Sequence, residues 1–246
     1  MPAEEDIKRI KELAREGRSV NEISESMSIP KSTVYYHFRK EVGQKQKRCS
    51  VSLPDDDETR GELCGVFAGD GNAHTDSSGH YRIRFYLNNS EEYWRKLSGF
   101  LEDVLGKEPR VYRNPDANRA VLDYYSRSLY RFLKSRLSWE EGSKTGTVCL
   151  DGPQNESFRE GFLRGLIDTD GYREKKFRRY IYGTISRSLR NDFSRALSRK
   201  EIQHTCYSEK PSCSEWETMY KVRISGSMAE KFCSEINPRN PKRKNL

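Results

Sequence analysis

The chain has 246 residues, a formal net charge of +8, and 33% charged against 34% hydrophobic residues. No apolar run approaches the ~18 residues that cross a bilayer, which argues against a membrane-spanning bundle, and no membrane partner is expected. A basic, polar chain with 14 tyrosines favours a polyanionic partner.

Residues 4–40 read as three short helices. Ile7, Ile10 and Leu13 give the first an apolar face, and Gly17 ends it. Ser19 or Asn21 caps the second, where Val20, Ile23 and Met27 face inward. Ser28-Ile29-Pro30 is the turn, and Val34 and Phe38 are the core of the third helix. This resembles a helix-turn-helix domain of the resolvase or regulator type, in which the last helix enters the major groove. Lys31, Ser32, Thr33 and Tyr36 are its candidate DNA contacts, and His37 reads as packing or a phosphate contact. The domain is expected over 1–42. A polar linker over 43–57 follows, with a basic run at Lys45–Arg48 and an acidic one at Asp55–Glu58.

Gly61-Glu62-Leu63-Cys64-Gly65-Val66-Phe67-Ala68-Gly69-Asp70-Gly71 opens a first repeat, expected over 58–150. Its second version, residues 161–171, lies one hundred residues on, ending Asp168-Thr169-Asp170-Gly171, in a repeat expected over 151–246. Small residues at 61, 65 and 69, and at 161, 165 and 169, form one flat stripe on a helix, suited to backbone-to-backbone packing. Packing the two stretches together sets Asp70 beside Asp170 at two helix C-termini, with Gly71 and Gly171 as positive-φ exits. Carboxylates there meet a dipole that is already negative and repel each other, and a divalent cation relieves both effects.

Tyr81–Asn88 alternates: Tyr81, Ile83, Phe85 and Leu87 on one face, and Arg82, Arg84, Tyr86 and Asn88 on the other. The second face is a candidate reader of base edges. A helix over 90–105 has Trp94, Leu97, Leu101 and Leu105 as core. Strands over 109–114 and 118–125 flank a turn, and a helix from Ser126 to Leu137 closes the repeat. The second repeat is expected as helix 156–170, strand 178–186, helix 188–200, strands 203–209 and 216–225, and helix 227–236. Its candidate DNA contacts are Tyr182, Thr184, Ser186, Lys221 and Arg223. Weak first hairpin strands fit 71–79 and 171–176, and the tail from Pro238 to Lys244 reads as basic and disordered. Cys49, Cys64, Cys149, Cys206, Cys213 and Cys233 include no C-x-x-C pair, which argues against structural zinc. Cys64 reads as a small core residue, and Cys206 and Cys213 leave open a pairing across a hairpin. No signal-peptide pattern is present, and the expected place is the cytoplasm, associated with the nucleoid.

Leu163–Gly171 matches the LAGLIDADG signature closely, and Leu63–Gly71 matches more loosely, with Cys64 for an alanine and Ala68 for the first aspartate. The chain resembles single-chain, two-repeat LAGLIDADG homing endonucleases over roughly residues 58–237. The resemblance implies an α+β fold of two pseudo-symmetric αββαββα repeats with saddle-shaped antiparallel sheets. It implies cleavage of both strands of double-stranded DNA at a long asymmetric site by a monomer, leaving short 3′ overhangs. Asp70 and Asp170, directly before the final glycines, are the implied catalytic Mg²⁺ (or Mn²⁺) ligands, with Gly69 and Thr169 beside them as further ligands. Lys144, in Gly142-Ser143-Lys144-Thr145, matches the family's Gly-x-Lys-(Ser/Thr) stretch, whose lysine points at the active site. Asp168 has no counterpart at Ala68 and reads as a cap or packing residue. The alternatives are a non-cleaving DNA-binding regulator, which would tend to lose one or both acids, and a maturase bound to host intron RNA. An intein is disfavoured by the leading helix-turn-helix and by the lack of a terminal His-Asn.

Overall fold

A computed structural model of the chain describes residues 3–16, 18–42, 51–75, 80–88, 91–114, 119–210 and 217–243. The basic run at 45–48, the turn at 115–118, Gly17, Cys49, Cys213 and Lys244 lie outside the described residues. The chain divides into two compact units, Met1–Ser50 and Val51–Leu246.

The first unit contains α1 (Glu4–Arg15), α2 (Val20–Met27) and α3 (Lys31–Val42). Ser19 caps α2 in a reciprocal box with Glu22, and Ser28 leaves it in the left-handed conformation. Ile10, Ala14, Ile23, Val34 and Phe38 are buried together, with Leu13, Val20, Met27 and Ile29 packed around them.

The second unit continues with α4 (Asp57–Asp70), β1 (Gly71–Thr75), β2 (Tyr81–Asn88), α5 (Glu91–Leu105), β3 (Arg110–Asn114), β4 (Arg119–Tyr125) and α6 (Arg127–Arg136). A short connection follows, with β5 (Leu137–Ser138), α7 (Lys144–Thr147) and β6 (Cys149–Leu150). The repeat then recurs as α8 (Glu156–Thr169), β7 (Gly171–Glu174), β8 (Arg179–Thr184), α9 (Arg187–Arg199), β9 (Thr205–Glu209), β10 (Met219–Ser225) and α10 (Ser227–Ile236). Its two main sheets are antiparallel and share one strand order, β1-β2-β4-β3 and β7-β8-β10-β9. This is the mixed α+β double repeat that the sequence implies. No helix among the described residues is long and apolar enough to cross a membrane.

The two repeats meet at α4 and α8, where backbone touches backbone. A Cβ added at Gly61 would lie 1.9 Å from the Phe158 carbonyl oxygen, and one at Gly161 would lie 1.8 Å from that of Glu58. Gly65 and Gly165 repeat the approach one turn on, with a Gly165 Cβ 2.5 Å from the Glu62 oxygen. The small-residue stripe therefore exists for contact, and its cost in helix propensity is offset by that packing. Gly71 and Gly171 are not positive-φ exits. Gly71 has φ −83°, and Gly171 is absent from the left-handed region. Each is glycine because its helix turns straight into a strand, where a Cβ would strike Phe67 or Ile167.

Charges inside the apolar stretches are paired. Glu62 is 1% exposed and accepts from Arg164 Nη1 at 2.9 Å and from Arg239 Nη2 at 3.0 Å. Arg164 also donates to Glu58 at 2.6 Å and, through Nε, to the Ile236 carbonyl at 2.7 Å. The C-terminal segment is consequently docked over Pro238–Arg243, against the disorder expected for it. Asp168 accepts from the backbone N–H groups of Arg239 and Asn240 at 2.9 and 3.0 Å, and Asn240 Nδ2 donates to the Asp168 carbonyl. Residues 51–57, expected as linker, also pack on this unit. Val51 is buried, Ser52 N–H donates to Leu105 O, and Asp56 caps α4. Cys64 is fully buried, and Cys206 is unbridged, its thiol donating to Ser194.

Gly161→Ala will force α4 and α8 apart. We expect a loss of about 3 kcal/mol or more in chemical denaturation, the upper range for overpacking. Gly142→Ala, where a Cβ has open space, will cost far less despite its φ of +81°.

Candidate active site and DNA interface

Asp70 is the last residue of α4, and Asp170 caps the C-terminus of α8. Because β1 and β7 begin at the next residue, both carboxylates sit where the two sheets start. The contact that joins the helices also joins the acids. A Cβ at Gly69 would lie 2.1 Å from Thr169 Oγ1 and 3.1 Å from Asp170 Oδ2. Thr169 thus requires a glycine opposite it, and its hydroxyl donates back to the carbonyls of Gly165 and Leu166 at 3.0 and 3.1 Å.

Burial pushes the Asp70 carboxyl up to about 7, and the Asp170 charge adds to the shift against Lys144 and Arg243. Burial likewise raises Asp170 to about 6, opposed by Lys144. Asp168 is raised to about 7 by burial, partly offset by the Asn240 and Arg239 N–H donors. Lys144 is 7% exposed, and burial lowers its amine to about 8 against the two aspartates. Its Nζ donates to the carbonyls of Phe67, Ala68 and Gly69 at 2.9, 2.6 and 3.2 Å. An ammonium has three protons, so Lys144 is fully engaged in closing the C-terminal end of α4. The Gly69 oxygen, met at the longest of these distances, keeps a lone pair for a further partner.

The residues fit a divalent cation of the hard, oxygen-seeking kind. Two desolvated carboxylates with raised proton affinity converge at two negative helix ends, beside the Gly69 carbonyl. No group of three or more His, Cys, Asp or Glu gathers among the described residues, so the arrangement is a carboxylate pair rather than a closed cage.

Arg243 was missed in the sequence. Its guanidinium, half-buried, is held in the field of Asp168, Tyr93 and Asp70, and its carbonyl accepts from Tyr180 Oη at 2.6 Å. Glu62 and Arg164 were also missed. Their signal was opposite charge within two apolar stretches in repeat register. Nothing in the sequence pattern marked Arg243.

Cross-strand partners share a sheet face, which sorts the DNA candidates. Ile83, Phe85 and Leu87 face the helices, which leaves Arg82, Arg84 and Tyr86 on the open face; Asn88 shares their strand position. Arg82 is bidentate to buried Asp123, with Nε at 2.9 Å and Nη2 at 2.6 Å from Oδ2, so it is committed within the sheet. Arg84 Nη1 donates to Tyr86 Oη at 3.2 Å, and Tyr86 is exposed. On the second sheet, Lys221 and Arg223 lie on the open face opposite Tyr207 and Thr205. Tyr182, Thr184 and Ser186 do not. Tyr182 is paired with Val222 on the helix side and stacks on Phe193 at 4.3 Å. Thr184 is buried, and Ser186 caps α9 while donating to the Val148 carbonyl at 2.7 Å. Tyrosine rings fill the core under α9, so β8 buries the face that its polar atoms suggested was open. In the first unit, Lys31, Ser32 and Tyr36 are exposed and Thr33 is half-buried, all on α3. Lys40 Nζ lies 4.6 Å from the Tyr36 ring.

Residues 157–237 match the LAGLIDADG-like domain family. The fold extends that likeness across both repeats. The homing endonuclease I-DmoI, in complex with DNA and Ca, is similar over 73% of this chain and 89% of that one, at 18% identity and a TM-score of 0.53. This is a LAGLIDADG-fold protein. The N-terminal LAGLIDADG domain of DUF199/WhiA is similar too, over 79% of this chain and 90% of that one, at 17% identity and a TM-score of 0.52. A curated relative, the ATP-dependent DNA helicase Hel308 of Thermococcus kodakarensis, is 25% identical over 207 residues, which are 81% of this chain. The LAGLIDADG-fold chain spans 18% of that helicase's length.

The raised carboxyls give a stability test with a fixed sign. A carboxyl bound more tightly to its proton when folded loses stability as pH rises from about 4 toward 7. Asp170→Asn removes that penalty and the repulsion on Asp70. Without metal it will be more stable than the parent at pH 8 by about 1 kcal/mol or more, after allowance for partial exposure, and the gain will shrink toward pH 4. Thermal unfolding across that range in chelator reads it.

Proposed function

We propose that the chain is a site-specific endonuclease that hydrolyses both strands of double-stranded DNA with a divalent cation. The observation that carries the reading is the pairing of Asp70 with Asp170 at the point where both sheets begin. Asp70 and Asp170 would hold Mg²⁺ or Mn²⁺, with the carbonyls of Gly69 and Thr169 beside them. Bound there, the cation supplies Lewis-acid polarisation of a phosphate and an acidified water. Lys144 fixes the last carbonyls of α4, so it positions Gly69 and Asp70 and offsets their charge. Arg243 offsets the charge of Asp70 as well. Arg84, Tyr86, Lys221 and Arg223 meet the major groove, and Lys31, Ser32, Thr33 and Tyr36 extend the contact through α3. Two unlike repeats in one chain call for an asymmetric target and a monomer. I-DmoI was solved with DNA and Ca, with DNA and Mn, and, as a single-substitution variant, with its target DNA in the presence of Mg, which supports a metal and DNA here.

A DNA-binding regulator that does not cut is the second reading. It is favoured by the three-helix first unit and by Lys144 having every proton engaged. Retention of both aspartates favours the nuclease.

Incubation of the full chain with a pool of randomised duplexes separates the two. The nuclease binds in Ca²⁺ and cuts in Mg²⁺, and Asp70→Asn or Asp170→Asn lowers cutting at least about a thousandfold while duplex retention in Ca²⁺ persists. Retention without cutting in Mg²⁺ or Mn²⁺ would establish the regulator.

A further inference from the structure

The two open sheet faces share a strand order but not a charge balance. On the first, register places Arg84, Arg110 and Arg119 with Asp123 on one side of the sheet. Asp123 is neutralised by Arg82 through a two-point contact. Arg84 contacts Tyr86 Oη, and Arg110 lies 5.3 Å from the Tyr125 ring. Among the described residues, no carboxylate pairs with Arg84, Arg110 or Arg119. The second face differs. Glu174 pairs with Arg179, and Glu209 pairs with Lys221 at 2.5 Å. Arg223, 5.8 Å from the Tyr207 ring, is the cation there with no carboxylate partner among the described residues.

These differences act on a polyanion in two ways. Glu174 and Glu209 already neutralise Arg179 and Lys221, whose side chains are 25% and 16% exposed, so these cations release few counterions on meeting phosphate. Glu174 and Glu209 also set negative charge against phosphate. The first face pays no such repulsion. Its arginines also carry the planar fork that matches guanine O6 and N7.

We propose that the first sheet is the anchoring half of the DNA interface. It takes a guanine-bearing major-groove half-site through Arg84, Arg110 and Arg119, and it carries most of the salt-sensitive affinity. The second sheet engages its half-site with little counterion release, because Glu174 and Glu209 hold its cations back. This rests on the reading of duplex DNA as the partner and is independent of cleavage.

The test uses the full chain in Ca²⁺. Duplexes retained from a randomised pool are sequenced, and one retained duplex is titrated by fluorescence anisotropy across a KCl series. Guanine preference is expected to concentrate in one half, and Arg84→Ala should erase it at a position within that half. Arg84→Ala and Arg110→Ala should each weaken binding about tenfold, and the two together should flatten the plot of log affinity against log salt. Glu174→Gln with Glu209→Gln should do the reverse, steepening the slope and tightening binding at least about tenfold. Equal preference in both halves, an unchanged slope in the double arginine variant, or an unchanged affinity in the double glutamine variant would overturn the proposal. If no duplex is retained, the DNA partner itself is wrong, an outcome distinct from an even division between halves.

Discussion

The close approach of α4 and α8 is the constraint on which the rest of the unit depends. Carbonyl oxygens of Glu58, Glu62, Phe158 and Phe162 occupy the space that side chains at Gly161, Gly165, Gly61 and Gly65 would fill. With the helices that close, their ends coincide, and Asp70 and Asp170 have nowhere else to be. The same approach leaves no room for solvent around Glu62, so Arg164 and Arg239 must neutralise it. A buried charge left without its partner costs several kcal/mol, which ties the C-terminal segment to the helix pair.

Electrostatics then runs from this contact to chemistry. Two carboxylates at two negative helix ends are held out of water, which raises their hold on protons. The charges of Lys144 and Arg243 oppose that shift at Asp70. A site of this kind attracts a small hard cation and disfavours bare anions. It stands at the start of two sheets whose outer faces carry arginine, lysine and tyrosine, so a duplex lying along those faces would bring phosphate to the acids.

Much of this was legible in the sequence because the repeat is written twice. Gly61 and Gly161, Gly65 and Gly165, and Asp70 and Asp170 identified the helix pair and its acids without any structure. The alternation of Tyr81–Asn88 gave the right open face because its inward residues are plainly apolar. The same logic failed at β8. Tyr180, Tyr182 and Thr184 are inward and Ile181 and Gly183 outward, so side-chain polarity pointed the wrong way. Tyrosine, with an apolar ring and a polar tip, does not report its face. The tail was misread for a related reason. Its charge implied solvation, but Arg239 and Asn240 answer Glu62 and Asp168, more than seventy positions away. Short-range pattern cannot reveal such partners. Arg82 looked like a DNA contact for want of Asp123, forty-one positions on.

The central claim is that Asp70 and Asp170 form one shared cation centre, not two unrelated helix ends. Calorimetric titration of the protein with Mn²⁺ at neutral pH, in the parent, in Asp70→Asn and in Asp170→Asn, tests it most directly. A shared centre predicts that either substitution alone weakens all the Mn²⁺ binding, by about tenfold or more. Full-strength binding that survives Asp70→Asn or Asp170→Asn would contradict the account.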